Sequence, residues 1–303
     1  MSKDIMRVYG YKVFPKEITI ENFKSIRNLT LRPRPGINLL VGPNGAGKTN
    51  ILEAVHFFMR ALSRDELIKI PYAPYMPYYW DPQDLFYAKD FSNPLGFKLT
   101  LRITWEGEHD TYSTRMVLST RFTLTGPRSI EPQWFEIDVN ESKIEIMGDR
   151  LRVYLKAKYT KYLKDLKIGL DDFKEQNGYL IGDFKLLGNG ILGILYSTLL
   201  YVMSTPKYEN QDLLMVLGIA LPTDRLATIP FIFKWNRTNA NEYKGMPVPV
   251  PTLTTTTLPF PYFFMVFDAV FSNVILLKHP DVSAISEPAP MRGLERMDIR
   301  LGT

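Results

Sequence analysis

Cysteine is absent from all 303 residues, which excludes disulfides, thiolate metal sites and cysteine nucleophiles. Histidine is scarce. His56, His109 and His279 are scattered, stand near no Asp/Glu cluster and show no metal-ligand spacing. His56 reads as a packed or capped side chain, and no Ser/His/Asp set can be assembled. Long apolar runs are lacking too. Leu186–Met203 is broken by Gly188, Asn189 and Gly190, and Phe260–Leu277 by Pro261, Asp268 and Asn273. Neither reaches the roughly 20 apolar residues of a membrane span, so both are expected as buried helix or strand. The start, MSKDIMRVYG, has no apolar segment behind its charges, and no secretory signal is expected. Internal repeats and sustained heptads are likewise missing, so no long coiled coil is encoded. A cytoplasmic protein with no membrane partner is the expectation.

What remains is an ordinary globular mix, 45% hydrophobic and 23% charged, with a formal net charge of +5. That length buries a real core in one large domain or two small ones. The positive balance permits contact with a polyanion without requiring it.

Hydrophobic rhythm divides the chain. Ile18–Phe23 and Ile26–Leu31 alternate and predict strands, and the nearly all-apolar Ile37–Val41 predicts a strand buried on both faces. From Thr49 to about Leu62, residues Ile51, Leu52, Val55 and Phe58 or Met59 recur with a helical period. The segment 70–96 is crowded with prolines and aromatics and predicts a packed loop, with a base-stacking platform as the alternative. Phe97–Trp105, Tyr112–Leu124 and Trp134–Ile146 predict an antiparallel β-meander. Residues 149–222 predict a helical section, including a helix over Gln211–Leu221, and 223–303 an extended Pro/Thr-rich connection, a core strand at Phe263–Leu277 and a turn-rich tail.

The chemistry sits in Gly42-Pro-Asn-Gly-Ala-Gly47-Lys48-Thr49, which fits G-x-x-x-x-G-K-[ST] between an expected strand and an expected helix. Such a loop needs glycines so that the backbone can wrap phosphate oxygens closely. The amides of Asn44, Gly45, Ala46, Gly47, Lys48 and Thr49 would face one concavity at the positive end of the helix. Lys48 would bridge the β- and γ-phosphates as the catalytic cation, and the Thr49 hydroxyl would ligate Mg²⁺ beside ATP.

The flanks, ITIENFKSIRNLTLRPRPGINLLVGPNGAGKTNILEAVHFF, resemble the N-terminus of SMC, RecF and OLD-like ATPase heads of the ABC-type superfamily. Asn22-Phe23-Lys24-Ser25 and Asn50-Ile51-Leu52-Glu53-Ala54-Val55 carry the match; beyond residue 65 only the general plan of a lobe is shared. The tail EPAPMRGLERMD looks like archaeal AAA-family members of that group. The resemblance implies an α/β P-loop NTPase N-terminal lobe, residues 1–148, bearing the β-meander. It also implies that Lys24 and Ser25 lie beside the nucleotide with Asn50, a surface turn being the alternative.

It implies further parts that do not occur here. A complete head carries a Ser-Gly-Gly signature and a strand ending Asp-Glu; no Ser-Gly-Gly occurs, and Phe263–Phe267 ends in Asp268 followed by Ala269. The chain therefore reads as a lobe that hydrolyses ATP only with a C-terminal ATPase lobe, in a head-to-head dimer, with DNA as a further partner and nucleoid association possible. Gln83 and Gln133 are the better candidates for the glutamine that completes such sites, ahead of Gln176 and Gln211. The basic stretch Arg150–Lys167 fits DNA phosphates or a solvated helix face equally. Two rivals stay open: a nucleotide-gated interaction module without nucleic acid, and a complete nucleotidase using Asp268.

Overall fold

The computed structural model describes residues 11–61, 81–106, 111–127, 129–186, 198–205, 212–221, 226–234 and 236–237. Two antiparallel sheets dominate. The larger contains β1 (Tyr11–Phe23), β2 (Ile26–Leu31), β3 (Leu95–Glu106), β4 (Thr111–Gly126), β5 (Ser129–Asp138), β6 (Ser142–Met147), β7 (Arg150–Lys156), β8 (Phe173–Gln176) and β9 (Tyr179–Lys185). Their order is β2-β1-β3-β4-β5-β6-β7-β9-β8, with the short β13 (Asn236–Arg237) added to β4. The smaller sheet is β10 (Thr198–Thr205), β11 (Asp212–Ala220) and β12 (Leu226–Lys234), with β11 central.

Alternation sets the faces. Register aligns Ile18, Leu99, Leu118, Ile137, Ile144 and Val153 in one row across six strands, every one buried. A second row runs Ile20, Phe97, Thr120, Phe135, Ile146 and Leu151. Side chains two apart share a face, so these rows make one continuous apolar surface. Helix α1 (Lys48–Ala61) covers part of it through Ala54, Phe57, Phe58 and Ala61. Phe57 meets Phe23, Phe97 and Phe122 at centroid distances of 5.9, 5.8 and 5.4 Å, and Phe58 stacks on Phe97 at 4.9 Å. Each such pair adds about 0.5–1.5 kcal/mol beyond burial.

A smaller core forms at the far end from Leu155, Tyr159, Leu163, Ile168, Leu180, Val216 and Ile232. Buried Glu141 anchors its rim: it lies 2.7 Å from Lys158 Nζ and 3.5 Å from Lys156 Nζ, and accepts from the Tyr159 hydroxyl at 3.2 Å. Next to it, Ser142 Oγ accepts from the Ile232 amide at 2.8 Å and so joins the small sheet to β6.

The meander strands and the first two strands stand where alternation places them, with Trp134–Ile146 divided into β5 and β6 by a turn at Val139–Glu141. Three expectations are corrected. The helical section at 149–222 is mostly strand among its described residues: β7 to β11, with helix α2 limited to Thr160–Asp165. In Arg150–Lys156 the buried residues are Leu151, Val153 and Leu155, a period of two, and a Gly148–Asp149 turn hairpins the strand onto β6. Asp212–Ala220 is nearly all apolar, and such a run suits a central strand as well as a buried helix.

The second correction concerns Ile37–Val41, which is neither strand nor buried: Ile37, Leu39 and Val41 are 91, 82 and 91% exposed. Asn38 instead closes a local loop, accepting from the Arg34 amide at 2.9 Å and donating to the Arg34 carbonyl at 2.8 Å. A strand exists only where a neighbour takes its amides and carbonyls, and no described strand lies beside this run. Third, α1 is a helix as expected but turned: Leu52 is exposed, and Glu53, Ala54, Phe57 and Phe58 face inward.

Residues 81–94 are the irregular segment expected there, with 3-10 turns at Pro82–Leu85 and Tyr87–Lys89; Phe260–Leu277 and the Pro/Thr-rich connection lie outside the described residues. Among described residues no helix is long and apolar enough to cross a membrane, and no group of three or more metal-ligand side chains forms. The architecture is an antiparallel sheet with few helices, consistent with an α/β P-loop ATPase-like domain.

Two outcomes follow from this packing. Phe57→Ala should cost about 3–5 kcal/mol of unfolding free energy, as for a large buried aromatic, read by urea denaturation. Burial pushes the Glu141 carboxyl up, but the Lys158 hydrogen bond and the Lys158 and Lys156 charges outweigh it, so its pKa lies below the ordinary value. A depressed folded pKa stabilises above the unfolded value of about 4.3 and is lost as pH falls through the folded one. Glu141→Gln should therefore weaken the fold by about 2 kcal/mol at neutral pH, the lysines being partly solvated. It should also flatten the acid limb of a stability–pH curve below pH ~4.5.

Candidate phosphate-binding site

The turn between β1 and β2 and the loop before α1 meet at one point. Gly45 and Gly47 take φ of 81° and 84°, a left-handed backbone that side chains resist. They let the loop double back, with the Ala46 amide donating to the Pro43 carbonyl at 3.3 Å. Helix α1 then begins at Lys48, and the Ile51 amide donates to the Gly47 carbonyl at 3.1 Å. The first amides of a helix have no partner within it, so those of Lys48, Thr49 and Asn50 form a positive terminus. Lys48 curls back and donates from Nζ to the carbonyls of Gly42 and Pro43 at 2.8 and 2.7 Å, which sets its ammonium inside the bend.

The neighbouring turn is bolted to this helix. Asn50 Nδ2 donates to Ser25 Oγ at 2.7 Å, and Lys24 Nζ donates to Glu53 Oε2 at 2.6 Å. Ser25 is so close that a Cβ at Gly47 would lie 3.1 Å from its Oγ. Behind the turn, the Lys24 amide donates to the Leu85 carbonyl at 2.7 Å, and buried Asn22 donates from Nδ2 to the Asn93 and Asp90 carbonyls at 2.6 and 3.3 Å. Asn22, Lys24, Ala88 and Lys89 all have φ between 50° and 57°. Non-glycine residues in that region are strained, and such strain gathers at functional sites.

Lys24, Ser25, Asn44 through Thr49 and Asn50 are thus gathered around one helix terminus. Other candidates fall elsewhere. Gln83 sits in the segment that buttresses Lys24 but donates toward the Pro127 carbonyl at 3.4 Å; Gln133 and Gln176 are exposed on β5 and β8. Gln211, Asp268, His109 and His279 lie outside the described residues. The basic stretch divides: Arg152 pairs with Asp183 at 2.7 Å and Lys156 and Lys158 serve Glu141, while Lys161, Lys164 and Lys167 are exposed. Glu53 was not singled out by the sequence. It stood only among the residues that carry the resemblance, and its inward position emerges with the fold.

The segment that carries this glycine-rich loop is the one that a known family matches. The AAA domain family matches residues 17–69. The chain is 58% identical over 41 residues to the DNA replication and repair protein RecF of Prosthecochloris aestuarii, and 55% identical over 40 residues to that of Shewanella baltica. It is 40% identical over 48 residues to RecF of Desulforamulus reducens. These stretches are 14, 13 and 16% of this chain and span only 11, 11 and 13% of those relatives. The N-terminal region is accordingly similar to the N-terminal lobe of SMC/RecF-like P-loop ATPases.

Gly47→Ala is expected to cost about 1–2 kcal/mol through its left-handed backbone plus the Ser25 contact. Adding Ser25→Ala should recover only the contact's share, measured as a double-mutant cycle in urea.

Proposed function

We propose that this chain binds ATP with Mg²⁺ on the Gly42–Thr49 loop and serves as the nucleotide-binding lobe of an SMC/RecF-like head acting with DNA. The observation that carries the reading is the Lys48 ammonium turned into a bend of left-handed glycines at a helix N-terminus. The donor set fits a polyphosphate: amides without helical partners, a cation, and open space where a Gly45 side chain would stand. In this reading the amides of Asn44 to Thr49 hold phosphate oxygens and Lys48 neutralises the β/γ charge. The Thr49 hydroxyl holds Mg²⁺, which when bound would screen the phosphate charge, and Lys24, Ser25 and Asn50 line the loop's flank.

Hydrolysis then requires a C-terminal lobe and a head-to-head dimer. The exposed Ile37–Val41 run supports the first of these. Leaving such side chains in water forgoes about 1.5–3 kcal/mol each, and a strand laid beside them would recover it. DNA would meet Lys161, Lys164 and Lys167 through its phosphates, with salt-sensitive affinity, in the cytoplasm and at the nucleoid. A second reading, a nucleotide-gated interaction module, is favoured by the internal neutralisation of Arg152, Lys156 and Lys158. Charge reversal at Lys161, Lys164 and Lys167 that leaves salt-dependent DNA retention unchanged selects it.

Lys48→Ala should weaken ATP·Mg binding about 10- to 100-fold, the worth of charged hydrogen bonds to phosphate, measured by calorimetry. Undiminished affinity overturns the proposal.

A further inference from the structure

We propose that Glu53 is a positioning residue of the nucleotide site, holding the Asn22–Ser25 turn against the start of α1 through Lys24. This rests on the nucleotide reading above and deepens it. It assigns Lys24 the role of a strut whose charge is used by Glu53.

Glu53 is 5% exposed, on the helix face that otherwise carries Ala54, Phe57 and Phe58. A buried carboxylate is costly, and an apolar residue of similar volume often serves stability as well or better. Its partner is costly as well, because Lys24 occupies a left-handed backbone position at φ 50°. Stability alone does not account for an ion pair assembled from two such elements. Position does. Glu53 lies one helical turn beyond Asn50, so the bonds Lys24–Glu53 (2.6 Å) and Asn50–Ser25 (2.7 Å) form successive rungs on the same flank of α1. Together they place the Ser25 hydroxyl against Gly47, the last loop residue before Lys48. Behind, Lys24 N–H to Leu85 and the Phe23–Phe86 bridge fix the turn to residues 82–90. The Gly47–Lys48 corner is therefore held between a helix it begins and a turn that Glu53 keeps in register. A preformed cradle binds more tightly than one that must be ordered on contact.

The experiment measures ATP·Mg affinity of the full chain by calorimetry, at a temperature where circular dichroism shows each variant fully folded. Glu53→Gln keeps shape and removes charge; it should weaken binding about 10-fold, as loss of an outer supporting contact does. Lys24→Met with Glu53→Leu removes the pair without stranding a charge, and should fold at least as well as the parent while binding about 10-fold more weakly. The reversed pair, Lys24→Glu with Glu53→Lys, should recover part of the loss. If Glu53→Gln binds as tightly as the parent or tighter while Lys24→Met binds weakly, Lys24 is itself a phosphate ligand and the positioning role is overturned. If only thermal stability falls and affinity holds in every folded variant, the pair is structural and the proposal is equally overturned. Failure of the parent chain to bind ATP at all would overturn the nucleotide reading, and this inference with it; Lys48→Ala run alongside separates that case.

Discussion

Helix α1 is held on the inner face of the large sheet by the contact of Phe57 and Phe58 with Phe23, Phe97 and Phe122. The rest of the N-terminal region follows from that contact. It fixes the axis of the helix, hence where its first amides point, and hence where a loop ending at Gly47 must deliver the chain. Phe23 belongs both to this cluster and to the turn that carries Lys24 and Ser25. One aromatic residue thereby ties the depth of the helix to the position of the turn, and the polar rungs at Asn50 and Glu53 set the remaining rotation.

Polar and apolar contacts divide the labour at both ends of the molecule. In the second core, Leu155, Tyr159 and Leu163 supply burial, but Glu141 and Ser142 decide where the small sheet sits. Burial is nondirectional, whereas a carboxylate facing two ammonium groups or a hydroxyl accepting one amide has a single geometry. The same logic consumes much of the basic stretch at 150–167: three of its cations, Arg152, Lys156 and Lys158, stand opposite carboxylates that lie elsewhere in sequence.

At the exposed Ile37–Val41 run, apolar pattern and packing disagree outright. Its composition suits a strand covered on both faces, yet the Asn38 side chain closes a local loop onto the backbone of Arg34 and Gly36.

Amino-acid order by itself determined the elements whose signal is local. The meander could be read from alternation, because side chains two apart share a face whatever the sheet order. The loop could be read from Gly45, Gly47, Lys48 and Thr49, because left-handed backbone and a cation are properties of those residues. That α1 is a helix was legible too. What tertiary structure decided was everything needing a partner distant in sequence. It chose strand over helix for Arg150–Lys156 and Asp212–Ala220, since a neighbour completed the ladder. It turned α1 so that Glu53 faces in and Leu52 faces out, since Lys24 lies 29 residues earlier, in the turn between β1 and β2. It withheld a partner from Ile37–Val41 among the described residues. Hydrogen bonds and ion pairs across long separations have no periodic trace in a sequence, and that is why the pair beside the loop came into view only with the fold.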